Sequence, residues 1–128
     1  VKKGANYGYP LREGPQAMTA QGMTTAPADD VLPVQITDTV TRGTITPTYP
    51  VIAYPHAPAG GGDAIAGGVV YRGSAIPALK DTLLFGDITT GRLWYAHLRD
   101  VIAADDGKAS TLAPVHEVDA GLRQLVFE

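Results

Sequence analysis

The chain is predicted to be all-β, and three observations carry that reading. Gly and Pro (15 and 10 of 128 residues) are spread along the whole length. No stretch of about ten residues or more keeps a helical period, which leaves little room for an ordinary amphipathic helix. Three runs rich in β-branched and aromatic residues, each bounded by turn residues, lie close together between positions 69 and 98.

Those three runs are Val69-Val70-Tyr71-Arg72, Thr82-Leu83-Leu84-Phe85 and Arg92-Leu93-Trp94-Tyr95-Ala96-His97-Leu98. The link Asp87-Ile88-Thr89-Thr90-Gly91 is short enough for a hairpin, with Gly91 free to take a positive φ. An antiparallel meander is the economical arrangement. After an acidic turn at Asp105-Asp106-Gly107, Leu112 to Val118 supplies a fourth strand and Leu122 to Phe127 the start of a fifth. Residues 1–63 are less regular. Ala5 to Pro10 reads as a strand end running into a turn, and Gly14 to Pro33 as a long Thr/Ala/Gly/Gln-rich excursion. Pro50 to Tyr54, short and apolar between prolines, reads as an edge or a strand entry, and Pro55 to Asp63 as a Gly/Pro-rich loop. A four-stranded meander flanked by long loops has the form of one β-propeller blade; a sandwich of short strands is the competing architecture.

Composition removes several function classes. With 45% hydrophobic and 18% charged residues, the chain is too apolar and too weakly charged to be a disordered segment. The absence of cysteine excludes disulfides, a thiol nucleophile and thiolate-bound metal, and leaves the compartment open. A net charge of −3 with scattered Lys and Arg argues against a nucleic-acid partner. No apolar run approaches the roughly 20 residues of a membrane-spanning helix. The first ten residues lack the apolar core of a signal peptide, and a chain starting at Val1 reads as a processed product or a fragment.

Three blocks narrow the field further. Asn6-Tyr7-Gly8-Tyr9-Pro10-Leu11-Arg12-Glu13-Gly14 resembles the N-Y-G-W-P-x-x-E-G motif of the glucose/sorbosone dehydrogenase family, with Tyr9 at the usual Trp. Ala64-Ile65-Ala66-Gly67-Gly68-Val69-Val70-Tyr71-Arg72-Gly73 is similar to that family's A-I-T-G-G-x-V-Y-R-G. Ile76-Pro77-Ala78-Leu79, followed by Leu84-Phe85-Gly86-Asp87-Ile88-Thr89-Thr90-Gly91-Arg92-Leu93, resembles its P-x-L-x-G-x-Y-x-F-G-D-x-x-x-G-R.

The resemblance implies blades of a six-bladed β-propeller, here an incomplete ring: residues 1–63 as long loop and strand ends of one blade, 64–121 as a four-stranded blade, 122–128 as the start of the next strand. It implies a parent that oxidises a sugar or aldose with pyrroloquinoline quinone (PQQ) and Ca2+, in the periplasm or outside the cell. The remainder of the propeller would be the partner. The same blocks occur in hedgehog-interacting protein propellers, which makes a non-catalytic binding or scaffold module the alternative. The family's catalytic histidine and main quinone contacts lie in blades before the first block, so no catalytic residue is expected in this chain. The loop from Gly86 to Gly91 also lacks the lysine that glucose-oxidising members direct at the quinone.

Four residues stand out as candidates. His56, in a Gly/Pro-rich loop, has the chemistry to hydrogen-bond a quinone oxygen or act as a base; its plain alternative is a bond to loop backbone. Arg72 and Arg92 are candidate cofactor contacts, against structural ion pairs. Asp87 is the candidate metal-side carboxylate, needing a calcium ion or Arg92 to neutralise it beside an anionic cofactor; its structural reading is a turn cap paired with Arg92. His97 and His116 read as surface or interblade positions, and the positions 56, 97 and 116 show no metal-ligand spacing. Gly60-Gly61-Gly62 lacks the following Lys-Ser/Thr of a phosphate loop, and Asp105-Asp106-Gly107 lacks the alternating ligands of a calcium loop.

Overall fold

A computed structural model describes residues 2–56 and 60–118. The fold is all-β and antiparallel, and the chain divides into two compact units.

The first unit comprises residues up to Pro50 together with Asp106–Thr111. It holds a three-stranded sheet of β1 (Arg12–Glu13), β2 (Gln16–Thr19) and β3 (Gly22–Thr25), and a hairpin of β4 (Leu32–Thr37) and β5 (Val40–Ile45). The excursion expected between Gly14 and Pro33 is therefore partly a hairpin. Its turn is built by side-chain chemistry that hydrophobic alternation does not report: Thr19 Oγ1 donates to the Gly22 carbonyl at 2.8 Å and accepts from Gln21 N–H at 3.2 Å. The β4–β5 turn repeats the device, with Thr37 Oγ1 accepting from Val40 N–H at 3.1 Å.

The first motif block shapes the entry to β1. Asn6 Oδ1 accepts from Gly8 N–H at 2.8 Å, and the Gly8 carbonyl accepts from Leu11 and Arg12 N–H at 2.8 and 2.9 Å. Gly8 has φ +90°, and a Cβ there would meet Arg12 Cγ at 2.6 Å, so only glycine serves. The small core here is Leu32 and Ala17, and Asp30 of the same unit is buried as well.

The second unit comprises Val51–Asp105 and the segment from Leu112 on. Its sheet is the expected four-stranded antiparallel meander, in the order β6 (Ile65–Tyr71), β7 (Thr82–Asp87), β8 (Leu93–His97), β9 (His116–Glu117). An irregularity in register between Ala66 and Gly68 places Gly67 as the extra residue of β6. Alternation puts Leu83, Phe85 and Asp87 of β7 on one face with Trp94 and Ala96 of β8. Phe85, Trp94 and Ala96 are buried, and Tyr54 stacks over them with ring centres 4.8 Å from Trp94 and 6.3 Å from Phe85. This aromatic cluster is the heart of the unit.

Three expected boundaries move. The strand expected through Leu98 ends at His97; Leu98 N–H donates to the Asp81 carbonyl at 2.9 Å, and Leu98–Ala103 forms a single short helix, α1. The fourth strand contracts from Leu112–Val118 to two residues, because Pro114 has no N–H to give a ladder. Pro50 to Tyr54 is no strand, although the Val51 carbonyl accepts from Ala113 N–H at 2.8 Å. The fifth strand expected at Leu122 to Phe127, and the boundary drawn at 122, lie outside the described residues. Among the described residues no helix is long and apolar enough to cross a membrane.

Candidate functional site

Three of the four candidates, His56, Asp87 and Arg92, lie where residues 54–56 and 60–64 meet the β7–β8 turn. Asp87 ends β7 with only 3% of its surface exposed. Its Oδ1 accepts from Thr89 N–H (3.0 Å), Thr89 Oγ1 (2.7 Å), Thr90 N–H (2.9 Å) and Thr90 Oγ1 (2.9 Å). Its Oδ2 accepts from Ala64 N–H at 2.7 Å and Tyr54 O–H at 3.3 Å. Burial alone would push this carboxyl up, but the Thr89, Thr90 and Ala64 donors outweigh it and hold the group well below the usual carboxylate range. The same pair pushes the Tyr54 phenol up, through burial first and the neighbouring Asp87 charge second.

The glycine run is the other half of this arrangement. Gly62 N–H donates to the Pro55 carbonyl at 3.1 Å. A Cβ at Gly61 would collide with that same carbonyl, and one at Gly62 with the Asp87 carboxylate. These glycines let backbone approach backbone and carboxylate, which is a packing role rather than a phosphate cradle.

Arg92 opens β8 side of the turn but does not pair with Asp87 as the turn reading expected. Asp87 is already supplied with donors, and Arg92 Nη1 donates instead to the Gly61 carbonyl at 3.3 Å. Its buried Nε lies 3.4 Å from Glu117 Oε1, an ion pair without an aligned hydrogen bond. Gly91 does take a positive φ, +65°, and its N–H closes the turn onto the Asp87 carbonyl at 3.1 Å. His56 sits at the mouth of the loop, half exposed, with Nδ1 3.7 Å from Asp63 Oδ1. Thr89 Oγ1 is 3.5 Å from the other Asp63 oxygen, so Thr89 touches both carboxylates.

Arg72 is elsewhere. It follows the end of β6 that pairs with Thr82, at the opposite end of β7 from Asp87. Six residues of strand separate the two ends by roughly 17 Å. There Arg72 Nη1 forms an exposed 2.9 Å pair with Asp81, a residue at φ +56°. The four candidates thus do not converge on one cradle: His56, Asp87 and Arg92 share one end of the sheet, and Arg72 the other. The lone pairs a calcium ion would need from Asp87 are committed to protein donors. These residues do not together fit a quinone and its metal.

Two further clusters escaped sequence reasoning. In the first unit, Arg12 Nε donates to Asp30 Oδ2 at 3.0 Å, Arg12 Nη2 pairs with Asp30 Oδ1, and Tyr49 O–H donates to Oδ2 at 2.7 Å. The Arg12 hydrogen bond, opposed by burial and helped by Tyr49, lowers the Asp30 carboxyl; burial and then the Asp30 contact push Tyr49 up to about 12. Asp30 and Tyr49 stand 19 positions apart, and nothing local marks either. On the outer side of the sheet in the second unit, His116 stacks on Tyr95 with ring centres 5.0 Å apart, and His97 meets the Tyr95 ring edge-on at 5.7 Å. The capping of Asp87 did have a local signal, threonines two and three residues after the Asp that opens the turn, whose N–H and O–H groups are placed to cap it. No protein-family model matches the chain, and no solved structure matches it.

Proposed function

We propose that this chain contributes a blade to a β-propeller of the quinone-dependent sugar or aldose dehydrogenase type, and that its role there is architectural. The parent reaction is oxidation of a sugar with hydride transfer to PQQ, beside Ca2+, in the periplasm or outside the cell; the remainder of the ring supplies the catalytic histidine. One observation carries the reading: the second and third motif blocks occupy successive strands of a single antiparallel meander, and their marked residues serve to build it. Asp87 clamps the β7–β8 turn to the Gly-rich loop, Arg92 ties that loop to β9, and Arg72 closes the β6–β7 link. The same engagement of Asp87 and Arg92 favours, as a second reading, a binding or scaffold propeller without redox chemistry.

The test is dye reduction with PQQ, Ca2+ and a panel of aldoses. The 128-residue chain is expected to give none, whereas the chain together with the rest of its ring gives aldose-dependent turnover. Turnover by the chain alone overturns the architectural role. A folded, complete ring that reduces no dye with any aldose overturns the dehydrogenase reading in favour of the scaffold.

A further inference from the structure

Strand register brings together two imidazoles that chain spacing keeps apart. His97 is the last residue of β8 and His116 the first of β9. Tyr95 pairs directly with His116, so His97, two residues on, is the diagonal neighbour on the same face. The two imidazole ring centres lie 6.0 Å apart with their planes tilted by 58°. Tyr95 contacts both rings, stacked on one and edge-on to the other.

We propose that His97 and His116 chelate a late first-row divalent metal ion, of the Cu2+, Ni2+ or Zn2+ class, through one ring nitrogen each, with water completing the shell. An imidazole nitrogen binds such ions at about 2.0–2.1 Å, which puts the ring centre about 3.2 Å from the metal. Two imidazoles adjacent on one metal then have centres about 4.5–5.2 Å apart for bond angles between square and tetrahedral. The present separation exceeds that by about 1 Å, a distance that side-chain rotation of the exposed His116 covers without moving the strands. Neutral imidazole suits these ions, with Cu2+ bound most tightly, whereas Ca2+ requires oxygen ligands that this pair does not offer. The site is therefore distinct in chemistry from the calcium associated with the proposed parent, and it stands whether or not that reading holds.

The experiment is titration of the whole chain with Cu2+ at pH 7.5, followed by copper electron paramagnetic resonance and by quenching of Trp94, the only tryptophan, which neighbours Tyr95 in β8. One Cu2+ per chain with two imidazole nitrogens in its coupling pattern is expected. His97→Gln and His116→Gln each weaken binding at least tenfold and leave a one-imidazole spectrum, His56→Gln changes nothing, and Ca2+ at the same concentration does not compete. Unchanged affinity in both His97→Gln and His116→Gln, or loss in His56→Gln, overturns the proposal. Because either variant could disturb the β8–β9 edge, the wild-type chain is also titrated with Cu2+ by proton NMR. Selective broadening of the His97 and His116 ring signals supports the site, and broadening confined to His56 overturns it.

Discussion

The α-carbon of Gly62 and the carboxylate of Asp87 are so close that a Cβ at position 62 would occupy the space of the carboxylate oxygens. A glycine in a loop and an acid at a strand end, 25 positions apart, are thereby one structural unit. Gly62→Ala must displace a carboxylate that six hydrogen bonds hold in place, and it is expected to cost about 3 kcal/mol in denaturant unfolding. Gly67→Ala is the matched control, since a Cβ there meets nothing within 4 Å, and its effect stays within about 0.5 kcal/mol. Equal losses for the two would show that loss of glycine flexibility, and not the close approach, matters.

Asp87→Asn keeps the shape of the acid and removes its charge and part of its accepting capacity. The folded-state pKa of Asp87 is depressed, so its contribution is complete above the unfolded value of about 4 and is lost as pH falls below that. The variant should therefore melt below wild type at pH 7, with the gap narrowing as pH drops below about 4. A residual acid sensitivity remains in the variant, because Asp30 and Asp106 are lowered as well, the first chiefly by Arg12 and the second chiefly by the Lys108 N–H. A gap constant from pH 7 to pH 2 would contradict the assigned direction.

Arg12→Ala leaves the Asp30 carboxylate buried without its cation, at 1% side-chain exposure. The expected loss is about 3–5 kcal/mol, the usual consequence of orphaning one partner of a buried pair. Tyr49→Phe removes one neutral-to-charged hydrogen bond and costs about 2 kcal/mol. Spectrophotometric titration supplies an independent check: Tyr49 should ionise late, near pH 12, beside a raised Tyr54, and Tyr49→Phe should remove one tyrosine's amplitude from the late part of the curve.

The Arg72–Asp81 pair tests the opposite limit. Both side chains are more than half exposed, 68% and 52%, so water and salt screen their attraction. Arg72→Ala should change stability by less than about 0.5 kcal/mol, even though Arg72 lies in a motif block. A loss several times larger would place Arg72 in a packed environment.

Much of the second unit was legible because its determinants are local. Val69–Tyr71, Thr82–Phe85 and Leu93–His97 are β-branched and aromatic runs bounded by turn residues, and Gly91 marks the hairpin that joins two of them. The five strands between Arg12 and Ile45 were largely hidden. Their stretches are rich in Thr, Gln and Gly, most of their positions remain exposed, and a strand with little buried surface carries weak hydrophobic alternation.

The candidate site divides in the same way. Sequence alone determined that the chain is all-β, that the runs between residues 69 and 98 form a meander, and that Asp87 stands at a turn, because strand-forming residue types and turn chemistry act between neighbouring residues. Only tertiary structure decided who serves Asp87: Tyr54 and Ala64 reach it from 33 and 23 positions away, and Arg92, five positions on, turns away to Gly61 and Glu117. It also decided that His97 and His116 are neighbours and that Arg12, Asp30 and Tyr49 form one buried cluster. Side-chain partners across such distances follow from strand register and loop closure, and these are fixed by the burial of the whole unit rather than by any residue's local preference.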